Sequence, residues 1–240
     1  YVNLLAFCIQ TGSVDVALEI AALALEQHPS NYKLHASRGM IRTMKGQFNQ
    51  ADRDFQKALA LSKDIPKNVL QSLSSTEWLY WGYALVLLST NRAAEARTFL
   101  ESNEKSFATH LSYYLLADVL TRLGLARPDS LQEKVRSLLK KSISLNPNFG
   151  LARLGLARIY ASEKLWDQAI IELEVAIQDD PGHVAPYYEL AQVYLRSGRR
   201  EEGQKMLAKV KQMNDEEAGR AQETRGVMRA IQEAFKTNSQ

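Results

Sequence analysis

Few residues in this chain could do covalent chemistry, and their spacing directs none of them to it. The four histidines, His28, His35, His110 and His183, fall at or beside expected turns and match no HExxH or other ligand pattern. Cys8, the single cysteine, lies on the apolar pattern of the first helix with no histidine nearby to activate it. It reads as a buried thiol rather than a nucleophile, and it has no second cysteine to pair with. Asp179 and Asp180 precede Pro181 at a helix end, where solvated carboxylates are the expectation rather than a dyad of raised pKa. No GxSxG, P-loop or GxGxxG occurs. The sequence therefore predicts no catalytic residue, no metal ligand and no cofactor.

What remains is a chain built to fold and to bind. Of its 240 residues, 45% are hydrophobic and 24% charged, the balance of an ordinary globular protein, which excludes wholesale disorder. The 30 Lys+Arg and 27 Asp+Glu leave a net charge of +3, with the signs interleaved, as in Arg220-Ala-Gln-Glu-Thr-Arg225. A nucleic-acid surface needs a clustered basic face to release counterions. Only Arg196, Arg199 and Arg200 cluster, at an expected helix end where cations complement the helix dipole. No nucleic-acid partner is expected. The longest apolar run, Tyr83–Leu88, falls far short of the roughly 18 residues of a membrane span, so the chain is expected to be soluble with its compartment unspecified. It begins at Tyr1 without Met or a signal-peptide pattern, and reads as a fragment or a processed chain.

The elements that must position any binding residues are repeated. Gly12 and Gly46, Ala17 and Ala51, Ala157 and Ala191, Tyr160 and Tyr194, Leu173 and Leu207, and Pro147 and Pro181 are all separated by one common offset. The six prolines, Pro29, Pro66, Pro128, Pro147, Pro181 and Pro186, fall between expected helices or in a first turn. Between them, apolar residues recur at i, i+3, i+4 and i+7, so the fold class is all-α. Gly12, Gly46, Gly124 and Gly198 fit helix C-termini that need a left-handed residue, with Asn91 in that place once.

Within the best copy, Ala157, Tyr160, Ala169, Leu173, Ala176 and Pro181 stand at fixed spacings. The next carries Tyr187, Leu190, Ala191 and Tyr194; an earlier one carries Gly39, Gly46, Phe48, Ala51, Phe55 and Ala58. This pattern resembles the tetratricopeptide repeat, W-x2-L-G-x2-Y, then A-x3-F, then P. The resemblance implies a right-handed α-α superhelix, a solenoid of helix-turn-helix hairpins over residues 1–214. Its repeats fall at about 1–31, 32–65, 77–109, 110–149, 150–183 and 184–214, with irregular insertions near 66–76 and 125–130. Residues 215–240 are expected to form a capping helix and tail. Asp215, Glu216 and Glu217 would open that helix, with Ala221, Met228, Ile231 and Phe235 as one apolar stripe.

In such arrays the first helix of each hairpin lines a concave face. The matching positions here hold Met40 and Met44, then Trp78, Trp81 and Leu85, then Tyr114, Asp118 and Arg122. Arg158 follows, and then Tyr188, Gln192 and Arg196. The family's carboxylate clamp is absent where it should stand, since those positions are Val2 and Ala6, then Ala36 and Met40. An aromatic groove flanked by arginines would suit an amphipathic or acidic segment. Trp78 and Trp81 have two readings, as groove or as core beneath the 66–76 insertion, because periodicity does not distinguish a ligand stripe from a core stripe. The leading expectation is a non-catalytic scaffold binding a peptide or protein. The alternatives are self-assembly through the last helix, giving a homo-oligomer, and a docking part of a larger enzyme or export assembly.

Overall fold

The structure is a computed structural model that describes residues 5, 13–63, 74–104, 108–124 and 129–237, with the backbone alone in 74–78, 129–130 and 220–237. Gly12, Cys8 and most of the two irregular insertions lie outside the described residues, as does the side chain of Trp78. Among the described residues the elements are all helices: α1 (Val14–Gln27), α2 (Tyr32–Met44), α3 (Phe48–Ser62), α4 (Ser74–Ser89), α5 (Ala93–Asn103) and α6 (His110–Arg122) come first. They continue with α7 (Asp129–Leu145), α8 (Gly150–Ser162), α9 (Trp166–Asp179), α10 (Val184–Arg196) and α11 (Arg200–Thr237). The chain divides into two compact units, Tyr1–Pro147 and Asn148–Gln240.

Short turns fold consecutive helices into hairpins: α2 on α3, α4 on α5 and α6 on α7 in the first unit, and α8 on α9 and α10 on α11 in the second. Four of these turns pass through a left-handed residue directly: Gly46 (φ 69°), Asn91 (φ 60°), Lys164 (φ 60°) and Gly198 (φ 88°). Gly124 (φ 66°) ends α6 in the same way. A left-handed residue lets the last amides reach back to the helix carbonyls, as Arg199 N–H does to Tyr194 O at 2.9 Å. Lys164 has no sequence signal of its own. It stands where Gly198 stands in the following hairpin, and the strain of a side chain there is tolerated by the turn.

Small residues at the hairpin crossings let the helices approach. In the first unit Ala51, Phe55 and Ala58 of α3 are fully buried among Tyr32, Ala36, Leu79 and Val86. In the second, Leu154, Ala157, Ala169, Ile170, Leu173, Leu190 and Val193 form one core. Successive first helices also touch: α2 meets α4, and α4 meets α6; in the second unit α8 meets α10. This is the packing of stacked hairpins, each burying its apolar face on the next.

One expectation is corrected. No helix begins at Asp215; α11 runs for 38 residues from Arg200 to Thr237. The acids Asp215, Glu216 and Glu217 sit in mid-helix, and no proline interrupts the segment. A solvated helix carries such charges at little cost, so an acidic run marks a new N-terminus only when a breaker precedes it.

Candidate functional site

The first unit aligns α2, α4 and α6 side by side, and each carries expected groove residues on the helix positions that the repeat assigns to that face. On α2, Met40 is half-buried against the core around Phe55, while Met44 is 52% exposed. On α4, Trp81 and Leu85 are half-buried. On α6, Tyr114 and Asp118 are half-buried and Arg122 is exposed. The face therefore offers partly covered apolar and aromatic area on three adjacent helices, in contact as α2–α4 and α4–α6. Half-covered rings of this kind can still exclude water from a ligand.

The arginines differ from their expected role. Arg122 Nε donates to Asp118 Oδ2 at 2.7 Å, one helical turn away. In the second unit Arg158 Nε donates to Glu189 Oε1 at 2.7 Å, joining α8 to α10. Both charges are thus offset by a local carboxylate, which lowers their pull on an acidic ligand. Arg196 is exposed at the end of α10, and no ion pair engages it among the described residues. Tyr188, 49% exposed, and the half-buried Gln192 share its helix face at one-turn spacing.

The strongest polar cluster was not singled out from the sequence. Asp54 on α3 is only 3% exposed. Arg38 Nε donates to its two carboxylate oxygens at 3.2 and 3.0 Å, and Arg38 Nη2 donates to Oδ1 at 2.6 Å. Arg42 Nη1 adds a bond to Oδ2 at 2.7 Å. His35 donates from Nε2 to Pro29 O at 2.9 Å, and its Nδ1 lies 4.0 Å from Asp54 Oδ1. The signal was available: His35, Arg38 and Arg42 at helical spacing place three basic groups on one face of α2. Asp54 lies about 100° round α3 from Phe55, and it is buried because Arg38 and Arg42 cover it. A carboxylate so fully donated to is a structural tie rather than a vacant acceptor.

A second missed feature is a surface depression of about 470 Å³ between α4 and α5, lined by Tyr83, Leu87, Glu95, Thr98, Phe99 and Asn103. Tyr83 and Phe99 meet edge to face at 4.9 Å, and Tyr80 stacks on Phe99 at 5.4 Å. Burial pushes the Tyr80 phenol above its ordinary pKa. In the second unit Tyr194 is raised likewise, first by burial and then by the Glu174 carboxylate that accepts its hydrogen bond at 3.4 Å. Neither tyrosine is thereby activated, because each shift favours the neutral phenol. Among the described residues no group of three metal-ligating side chains occurs, and no helix is long and apolar enough to cross a membrane.

A tetratricopeptide-repeat family model matches residues 166–226. No curated protein matches the chain. Solved structures do. YrrB, described as a TPR protein with an unusual peptide-binding site, is 21% identical with a TM-score of 0.54, over 82% of this chain and 93% of its own. PilF of Pseudomonas aeruginosa is 19% identical with a TM-score of 0.67, over 89% of this chain and 90% of its own. A chain of the APC/C hetero-tetramer Cut9–Hcn1 is 16% identical with a TM-score of 0.71, over 87% of this chain and 38% of its own. At such identities these likenesses speak to the fold.

Proposed function

We propose that this chain, which matches a tetratricopeptide-repeat model over residues 166–226 and shares the fold of such proteins, is a non-catalytic protein-interaction scaffold that holds a peptide or protein segment along the face formed by α2, α4 and α6. One observation carries the reading: three first helices lie in contact, with Met40, Trp81, Leu85 and Tyr114 half-covered and Met44 exposed on the positions the repeat assigns to ligand. Large rings can each contribute on the order of 2 kcal/mol or more as anchors. The ligand is an apolar-anchored segment, with acidic groups a secondary feature, because Arg122 and Arg158 already have carboxylate partners. YrrB, described as binding peptide, lends the same fold an example of that use. Tyr188, Gln192 and Arg196 make a second patch on α10 of the other unit.

The test is affinity capture from the source organism's lysate, comparing wild type with a Trp81→Ala/Tyr114→Ala double variant of confirmed helicity. A protein retained by the first and lost by the second supports the site. Equal retention by both would move the site off this face.

A further inference from the structure

On its solvent side α1 departs from the second helices that follow it. Val16 and Leu23 are 50% and 58% exposed, with Ile20 half-buried between them. Ala17, Ala21 and Ala24 of the same helix are fully buried in a core with Leu34 and Ile41 of α2. Ala51 and Ala96 match Ala17, and both are buried. Counted from them, the places of Val16 and Leu23 hold Gln50 and Lys57 on α3, and Glu95 and Ser102 on α5, all exposed. The α2–α3 hairpin is packed on both sides, by α1 and by α4, and still leaves these places open. Neither the core nor the stacking of hairpins therefore asks for apolar residues there, yet α1 has them.

Carboxylates run beside the apolar stripe. Val16, Ile20 and Leu23 fall at i, i+4 and i+7, and Asp15, Glu19 and Glu26 form the next row round the helix. No Lys or Arg occurs in α1, although the whole chain carries a net charge of +3. Lys45 pairs with Asp15, and among the described residues no ion pair engages Glu19 or Glu26.

Spacing and charge together name the occupant. The stripe runs for about 10 Å along the axis, at about 1.5 Å per residue. A helix laid along it matches those steps with its own apolar residues at i, i+4 and i+7, whereas a strand repeats on one side only every ~6.7 Å. The carboxylate row repels phosphate groups of nucleic acid and anionic lipid, and it attracts a cationic flank. We propose that this face of α1 docks an amphipathic helix of a partner protein. The partner's apolar ridge lies on Val16, Ile20 and Leu23, and its lysines or arginines lie along Glu19 and Glu26. The site uses no residue of the α2–α4–α6 face, so it stands or falls separately from the proposed function.

The probe is a stapled helical peptide of about 18 residues, with leucines at i, i+4 and i+7 and one flanking row of lysines, titrated into the full chain by calorimetry. The expected result is saturable one-to-one binding that Val16→Ser/Leu23→Ser weakens by about tenfold or more. Both side chains are exposed, so circular dichroism and Tm of that variant should match wild type. A peptide with glutamates in place of the lysines should bind wild type poorly and regain affinity for a Glu19→Lys/Glu26→Lys chain. The Trp81→Ala/Tyr114→Ala chain should bind the lysine peptide as wild type does. Absence of binding at several hundred micromolar, binding indifferent to the serine pair, or failure of the charge exchange overturns the proposal. So does loss of binding in the Trp81→Ala/Tyr114→Ala chain, which would put the peptide on the other face. A wild type that self-associates in sedimentation, and becomes monomeric on Val16→Ser/Leu23→Ser, would make the occupant a second copy and overturns it as well.

Discussion

The α2–α3 and α8–α9 hairpins place residues at the same repeat positions but fill the space between helices differently. In the first unit Phe55 occupies the crossing, and glycine makes room for it on two sides. A Cβ at Gly39 would lie 3.0 Å from the ring, and one at Gly82 would lie 2.5 Å from Phe55 Cζ. In the second unit the same position is Leu173, with Ala157 where Gly39 stands. The neighbouring ion pair differs in parallel. Asp54 is buried beneath two arginines, whereas Glu172 accepts from Arg153 at 2.9 Å with both side chains partly exposed. The lesson is that one backbone spacing admits either a large ring with glycines or a mid-sized chain with alanines. The ring solution leaves less freedom to its neighbours.

If that is right, the two hairpins respond unequally to the same truncation. Phe55→Ala should lower stability by about 4 kcal/mol and Leu173→Ala by about 3 kcal/mol, because the larger ring leaves the larger cavity. Urea unfolding of both variants measures it, and equal losses would remove the distinction. Next in size, Asp54→Asn should cost about 3 kcal/mol, since it strands two arginines beside a buried amide. Glu172→Gln, at a partly solvated pair, should cost about 1 kcal/mol. Gly82→Ala sharpens the point about space. Alanine is the better helix former by about 1 kcal/mol, yet its methyl meets the Phe55 ring, so a net loss of about 2 kcal/mol is expected. A Phe55→Leu background should relieve that loss, and failure of the rescue would show that Phe55 is not what Gly82 accommodates. Smallest is the turn. Lys164→Gly should raise stability by about 1 kcal/mol and Gly198→Lys should lower it by a similar amount, both visible as opposite shifts in Tm.

The repeat made most of the fold legible, and its limits follow from what a repeat encodes. Ala51, Ala58, Ala157, Ala169 and Ala191 mark crossings where only small side chains fit, and all of them are buried. The left-handed turns at Gly46, Gly124 and Gly198 were readable from residue type, and Asn91 from its tolerance of that conformation. Lys164 was not, because position alone, not chemistry, places it there. The uninterrupted α11 was misread because its acids resemble a helix start, while the decisive fact is the absence of a breaker before them. The candidate face was readable only as a set of positions. Periodicity assigned Met40, Trp81 and Tyr114 to one side of their helices, but their degree of cover depends on neighbours that the local pattern does not name. For the same reason the Asp54 cluster was missed: its partners lie on another helix, and a single acid in an amphipathic stretch reads as solvated.

In the proposed scaffold, the α2–α4–α6 face binds a protein segment through half-covered aromatic side chains. Its most direct test is to titrate the captured partner against Trp81→Ala by calorimetry, with thermal unfolding of the same sample. The account predicts affinity reduced more than tenfold, with helicity retained and Tm within about 2 °C of wild type, a shift smaller than a 1 kcal/mol core defect would give. A Tm that falls steeply while affinity is unchanged would show Trp81 to be core and would contradict the site.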